Sequence, residues 1–287
     1  MKIARVFTAS QVVAIAVLLS MAVAVTLPAW RDVYSTAVDR EDQSHILLAL
    51  PVAVWLAVIR RHRLRFCVPA ASWFGPLACI AGVVLSEVGF RSGVDVLWHG
   101  GAVLAAVAAV VSVVGTQVVR KFLPSLLVLA FLLPVPGRIR PQVAVPLQEI
   151  SARVTEVALD LFGFPIARSG NILMINEQSV AVAEACNGMR MVGALVLVTF
   201  AFAFSVPMRN RVRLILLILS PLVALLVNIL RLMATTLVYG YSSRRVGDIF
   251  HDISGWAVLG LALLILWGTL GLLRWLEVRT VNYAVNA

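Results

Sequence analysis

The sequence is poor in charged residues, which make up 13% of its 287 residues, whereas 61% are hydrophobic. A soluble domain usually has about a quarter charged residues, so this composition excludes an ordinary soluble protein. Cysteine is scarce too: the three cysteines, Cys67, Cys79 and Cys186, contain no Cys-x-x-Cys spacing. This argues against a disulfide framework or a zinc site. The sequence has no internal repeat and no low-complexity tract, and we expect one domain over 1–287.

The hydrophobic residues fall in blocks, several of which reach the roughly 20 residues that span a bilayer. The fold class predicted is an all-α polytopic membrane protein with about eight transmembrane helices. The predicted spans are 8–30, 45–59, 67–88, 97–119, 122–136, 186–206, 214–239 and 252–273. The first span has features of a cleaved signal peptide, but its apolar run is long for one, which favours its retention.

Positive charges cluster at every second span boundary, before the first span and after the second, fourth, sixth and eighth. The residues are Lys2, Arg5, Arg60, Arg61, Arg63, Arg65, Arg120, Lys121, Arg209, Arg211, Arg213, Arg274 and Arg279. Cytoplasmic loops are rich in Lys and Arg, so both termini are predicted in the cytoplasm, although Arg244 and Arg245 oppose the rule. The net charge of +10 is then explained by these loops, which favours a lipid bilayer over nucleic acid as the partner.

The longest segment on the predicted outer side, 137–185, lies between the fifth and sixth spans. Apolar residues recur in it at spacings of three and four, at Leu147, Ile150, Val154, Val157 and Leu161. This spacing predicts an amphipathic helix from near Pro146 to Gly163, on the outer membrane surface or against the bundle. Two apolar runs, 172–175 and 180–183, then predict a small β-hairpin before Cys186.

Cys186 lies where this hairpin meets the sixth span. A helix N-terminus and the following Arg190 favour a thiolate there, whereas Glu184 opposes it. The alternative is a small buried hydrophobic side chain, the usual state of a free cysteine and the one expected for Cys67 and Cys79.

Two further residues stand out because polar groups are costly inside a membrane. Arg231 lies roughly 12 Å below the outer end of the seventh span, with Asn228 one turn away. An ion pair or contact with lipid headgroups would also explain this arginine. His251 opens the eighth span, where Asp252 caps the helix or orients the imidazole; alternatively, it is an interfacial histidine beside Trp256.

The predicted topology puts Cys186, Arg231 and His251 in one layer, at the outer ends of three consecutive helices. Helices joined by short connections are usually neighbours. A thiol, a guanidinium and an imidazole in one layer favour acyl transfer: the cysteine attacks a carbonyl, the histidine moves protons and the arginine stabilises the oxyanion or holds the substrate. No metal or cofactor is expected.

These residues resemble motifs of the exosortase/archaeosortase family of membrane transpeptidases. The match covers about 44–260 and includes Glu184-Ala185-Cys186-Asn187-Gly188-Met189-Arg190, Asn228-x-x-Arg231, His251, Ser44-His45, Pro134-Val135-Pro136, Gly163-Phe164-Pro165 and Arg168-Ser169-Gly170-Asn171. Many family members have serine at the position of Asn187.

The resemblance implies a cysteine peptidase in the cytoplasmic membrane of a prokaryote, with its site on the outer face. Its substrates would be secreted proteins with a C-terminal sorting signal, made of a short motif, a transmembrane helix and a basic tail. The acyl group would pass to an acceptor that the sequence does not identify. The family's catalytic residues correspond to Cys186, Arg231 and His251. Supporting candidates are Asn187, Asn228, Arg190 and His45; Asn187 is equally suited to capping its helix, and Arg190 to pairing with Glu184.

Two other functions are compatible with a polytopic chain. A transporter or export component would use Arg231 and His251 to line a solute path, but the inner halves of the last three spans are nearly all apolar. A non-catalytic scaffold would have an inert Cys186.

Overall fold

The computed structural model describes residues 8–40, 43–66, 73–176, 178–182 and 188–275. They are mostly helical, as the sequence predicts, and include one small β-sheet. The chain forms two compact units, 1–136 and 137–287. The expectation of one domain over 1–287 stays a prediction.

The described part of the first unit is built of helices. They are α1 (Ala9–Val25), α2 (Leu27–Asp39), α3 (Ile46–Ile59), α4 (Phe74–Ser92), α5 (Asp95–Val114), α6 (Thr116–Lys121) and α7 (Leu123–Val128), with 3-10 turns at Arg61–Phe66 and Leu129–Leu132.

The first predicted span, 8–30, corresponds to two helices joined by a sharp bend. Helix α1 ends at Val25, and α2 continues at 75° to it. Pro28 lies in the first turn of α2, where its missing N–H costs nothing, but it cannot continue the hydrogen bonds of α1. The bend is held by Thr26, whose hydroxyl donates to the Ala22 carbonyl at 2.7 Å and accepts from the Trp30 indole at 3.0 Å.

Helices α4 and α5 are packed with their backbones close together. Gly75, Gly82 and Gly89 recur every seven residues on α4, and a Cβ atom at any of them would collide with the α5 backbone. At Gly82 this added atom would lie 2.6 Å from the backbone nitrogen of Ala105. Small residues at such positions let apolar helices approach closely in a membrane.

The second unit combines helices with a sheet. The elements are α8 (Arg140–Leu161), β1 (Ile166–Ser169), β2 (Ile172–Ile175), β3 (Gln178–Ala181), α9 (Gly188–Ser205), α10 (Asn210–Tyr241) and α11 (Arg244–Trp275). An apolar core joins α9, α10 and α11 and includes Met191, Leu195, Val212, Leu216, Val223, Val227, Val258, Ala262, Leu266 and Leu270.

The predicted hairpin is part of a three-stranded antiparallel sheet in the order β1-β2-β3. The second strand of the predicted hairpin is β3, which begins at Gln178 rather than at Val180. Asn176 adopts a left-handed conformation (φ 47°) that turns the chain early. Sequence reasoning missed β1, whose alternating pattern is only four residues long. The sheet is attached to α10, since the Asn176 amide donates to the Gly240 carbonyl at 3.1 Å.

The predicted amphipathic helix is α8, but it begins six residues before Pro146. Pro141 lies in its first turn, where proline is tolerated, and Pro146 lies within the helix. The buried face consists of Ser151, Ala152, Thr155 and Leu159. The predicted apolar stripe is largely exposed, with Val157 61% and Leu161 83% accessible. Small side chains on the buried face let α8 pack on α10, which leaves the larger apolar ones outside.

Helices α4, α5, α10 and α11 are long and apolar enough to cross a membrane, and the bent pair α1–α2 makes a fifth candidate. Shorter apolar helices cover Ile46–Ile59, Leu123–Leu132 and Met191–Ser205. Each predicted span therefore coincides with an apolar helix or helix pair in the described residues. The chain is a multi-pass membrane protein, and four or five helices or helix pairs in its described residues are long and apolar enough to cross a membrane.

Candidate active site

The site lies where the buried stripes of α10 and α11 change from apolar to polar. On α10 the stripe runs through Val223 and Val227 and continues, four residues later, at Arg231. On α11 it runs back from Ala262 through Val258 to Ser254. Residues four apart lie on the same face of a helix. The same packed faces therefore carry both the apolar core and the polar groups.

Arg231 is 5% exposed and connects the two helices. Its Nε donates to the Ser254 hydroxyl at 3.0 Å, and its Nη2 donates to the His251 backbone carbonyl at 3.0 Å. The Ser254 hydroxyl in turn donates to that carbonyl at 2.9 Å. These bonds fix the plane of the guanidinium group, which favours directional binding of an oxygen anion.

The imidazole of His251 lies against the same guanidinium group. Arg231 Nη2 is 3.3 Å from His251 Nδ1 and 3.5 Å from Nε2. A guanidinium group is always a donor, so the ring nitrogen that accepts from it must be unprotonated. The contact places a charged donor directly beside a side chain that can take up and release a proton.

Asn228 lies one turn before Arg231 and is 1% exposed. Among the described residues, neither its Oδ1 nor its Nδ2 has a hydrogen-bond partner. A buried polar group without a partner costs about 1–3 kcal/mol. We call Asn228, Arg231, His251 and Ser254 the polar layer.

A cleft of about 230 Å³ opens beside His251. Strand β3 forms one wall, and Arg244, Asp248 and His251 of α11 form another, with Tyr239 of α10. The Tyr239 hydroxyl donates to Asp248 Oδ1 at 2.7 Å. The cleft gives a substrate access to the imidazole between a strand and a helix.

Cys186 and Asn187 lie outside the described residues. The described chain stops at Val182, one residue after β3, and resumes at Gly188, where α9 begins. Arg190 is in the first turn of α9, and its side chain is likewise outside the described part. Of the predicted site residues, the structure thus brings Arg231 and His251 into contact, with Asn228 one turn away.

His45 belongs to the first unit, where it lies buried immediately before α3. The neighbouring Gln43 is fully buried, and its Oε1 accepts from the backbone N–H of Val135 at 3.1 Å. This bond holds the residues just before Ser44-His45 next to Pro134-Val135-Pro136 within the first unit.

Sequence reasoning missed Ser254 and the cleft residues Tyr239 and Asp248. Ser254 lies three residues after His251, so helical spacing alone places the two on one face. No sequence signal distinguished this serine from others that bond to their own helix, as Ser112 does to the Ala108 carbonyl.

The arrangement brings together side chains that can serve acyl transfer: an imidazole beside a cleft and a guanidinium group held by hydrogen bonds. In comparisons with known proteins, the family model described as transmembrane exosortase matches residues 30–268. No curated protein and no solved structure matches the chain.

Proposed function

This chain belongs to the transmembrane exosortase family, and on that premise we propose that it is a cysteine transpeptidase or protease acting on the C-terminal sorting signals of secreted proteins. The observation that carries the proposal is the contact between Arg231 and His251 at the polar end of the α10–α11 stripe. A structural arginine would need neither an imidazole partner nor an adjoining cleft.

In the proposed reaction, the Cys186 thiolate attacks the carbonyl carbon of the scissile peptide bond. The oxygen of this carbonyl becomes an anion, which Arg231 stabilises as a charged donor. His251 takes the thiol proton and gives it to the departing amine, so that the peptide bond breaks and a thioester remains on Cys186.

An acceptor nucleophile then attacks the thioester, and His251 accepts its proton as the Cys186 thiolate leaves. If the acceptor is water, the net reaction is hydrolysis; if it is another nucleophile, the reaction is transpeptidation. The chemistry up to the thioester is the same for both.

The proposal includes an orientation. Eight spans with both termini in the cytoplasm would put the polar layer toward the outer face of a prokaryotic inner membrane, where a translocated substrate presents the motif before its anchor helix. The arginine clusters support this orientation. The exposed apolar stripe of α8 supports a position of this helix on the bilayer surface.

The test uses a reporter made of an exported soluble domain followed by the sorting signal of a secreted protein from the same genome. We expect Cys186→Ala to abolish processing of this reporter while the variant still inserts. Cys79→Ala is the matched control, because Cys79 is a free, half-buried cysteine of α4. Processing by Cys186→Ala at the wild-type rate would overturn the proposal.

A second experiment identifies the intermediate. Rapid acid quenching of the wild-type chain during reporter processing should trap the thioester, because acid protonates the acceptor nucleophile before it attacks. Mass spectrometry of Cys186 peptides would show the acyl end and thus the cleavage site. A substrate attached to any other residue would contradict the assignment of the nucleophile.

A further inference from the structure

Strand β3 lies at an edge of the sheet formed by the described residues. The Val182 N–H donates to the Asn171 carbonyl at 2.9 Å, which identifies 171 and 182 as a hydrogen-bonded pair. Such pairs alternate along antiparallel strands, so Leu173–Val180 and Ile175–Gln178 are the next ones. The backbone N–H and C=O groups of Ser179 and Ala181 therefore point away from β2.

The two edges of this sheet differ. Strand β1 follows Pro165 and carries Arg168, whose guanidinium group pairs with Glu156 of α8 at 2.8 Å. Proline and charged side chains are common means of protecting an edge from another strand. Strand β3 (Gln178-Ser179-Val180-Ala181) contains neither, and Gln178 and Ser179 are exposed. The sequence thus protects one edge and leaves the other open to pairing.

The open edge borders the cleft that contains His251. All four residues of β3 line this cleft, opposite Arg244, Asp248 and His251, which recur on one face of α11. The charged lining disfavours a lipid chain. A row of outward backbone donors and acceptors matches the backbone of an extended peptide.

We propose that the substrate polypeptide binds as a fourth strand along β3, with its backbone hydrogen-bonded to Ser179 and Ala181. This inference rests on the proposed function. Backbone pairing would hold the segment beside the scissile bond extended and adjacent to His251. Alternate side chains of the segment would face Arg244 and Asp248 of α11 and Tyr239 of α10, which select among them. The four residues of β3 span about 13 Å, so the pairing covers a short motif.

Ser179→Pro tests this pairing, because it removes an outward N–H that β2 does not use. Proline is tolerated at such edge positions, so the sheet should persist. We expect processing of the reporter to fall about tenfold or more, since a hydrogen bond is lost and the proline ring blocks the edge. Ser179→Ala keeps the N–H and removes only the hydroxyl, and we expect it to cost less than threefold.

A crosslinking experiment does not depend on turnover. Benzoylphenylalanine is placed at Ser179 in a Cys186→Ala background and irradiated with the reporter present. We expect a crosslink to the sorting motif. The matched control carries the same photoreactive residue at Ala167 on the protected edge, and we expect at least tenfold less product there.

The outcomes separate this inference from the proposed function. If the wild-type chain processes the reporter in a Cys186-dependent manner but Ser179→Pro is equally active, strand addition is wrong and the function stands. Equal crosslinking from Ser179 and Ala167 would likewise show that strand addition is wrong, without affecting the proposed function. If Cys186→Ala processes the reporter, the proposed function itself fails.

Discussion

Two pairs of long helices, α4–α5 in the first unit and α10–α11 in the second, are built in different ways. The first pair brings two backbones together at Gly75, Gly82 and Gly89. The second pair interlocks large apolar side chains and then changes to polar ones at Arg231 and Ser254. Where two backbones pack closely, no large side chain fits between the helices. Where side chains separate the backbones, a large polar side chain such as that of Arg231 can take the place of an apolar one.

The polar side chains of the two pairs also differ in their hydrogen-bond partners. In the first pair, the Ser86 hydroxyl donates to the Trp98 carbonyl at 2.8 Å, and the Ser112 hydroxyl donates within its own helix. Both are small hydroxyls that need a single backbone acceptor, and the buried imidazole of α5, His99, binds Asp32 of α2 at 3.0 Å rather than a residue of α4. In the second pair, a guanidinium group, an imidazole and a hydroxyl bind one another between helices. Close backbone packing thus dominates the first pair, whereas the second pair holds the candidate site residues between its helices.

Among the variants of the two helix pairs, the largest effect is expected for His251→Asn. Loss of general acid–base catalysis should lower reporter processing by about 10²–10⁴-fold. The measurement is the rate of reporter cleavage at matched levels of inserted protein. His62→Asn is the control, because His62 is exposed in the 3-10 turn after α3. Near-normal cleavage by His251→Asn would contradict the catalytic role proposed for the α10–α11 pair.

Arg231→Gln should lower the rate by about 10²–10³-fold, the effect of removing one oxyanion donor. Arg231→Lys should not restore activity, since an ammonium group cannot reproduce the Nε and Nη2 bonds together.

The control for this prediction is Arg213→Gln, which changes an arginine at the opposite end of α10. Arg213 binds the Ala203 carbonyl at 3.0 Å. We expect this control to affect stability but not the rate per folded molecule, and an equal loss in both variants would refute a special role for Arg231.

Gly82→Ala should destabilise the α4–α5 pair by about 1–3 kcal/mol, the usual cost of overpacking. The added Cβ would meet the Ala105 backbone. Gly260→Ala on α11 is the matched control, because nothing lies within 4 Å of its added Cβ. Thermal unfolding in detergent measures both. Equal melting temperatures would show that close backbone approach does not stabilise the first pair.

Ser254→Ala should have the smallest effect, about a tenfold loss of rate, because it removes the acceptor of Arg231 Nε. Ser254→Thr keeps a hydroxyl and should recover most of the rate. The same assay applies. If Ser254→Thr is as impaired as Ser254→Ala, side-chain volume rather than the hydrogen bond matters.

Much of the fold was predictable from apolar segment length, since each predicted span overlaps an apolar helix or helix pair in the described residues, of which four or five are long enough to cross a membrane. The bend at Thr26 and the early start of α8 were missed, although Pro28 and Pro141 mark both positions. Strand β1 was missed because its stability comes from pairing with β2 and from the Arg168–Glu156 ion pair, which a four-residue pattern does not reveal.

For the site, the sequence alone determined that Arg231 and His251 are rare polar groups near the ends of consecutive apolar helices. Hydropathy and helical spacing are local properties, so a single chain is enough to read them. Only the tertiary structure decided that the two side chains touch, that Ser254 orients the guanidinium group, and that β3 borders the cleft beside His251. A hydrogen bond requires two groups within about 3 Å. The relative register of α10 and α11 sets that distance, and it depends on how their apolar side chains pack over the whole length of the helices.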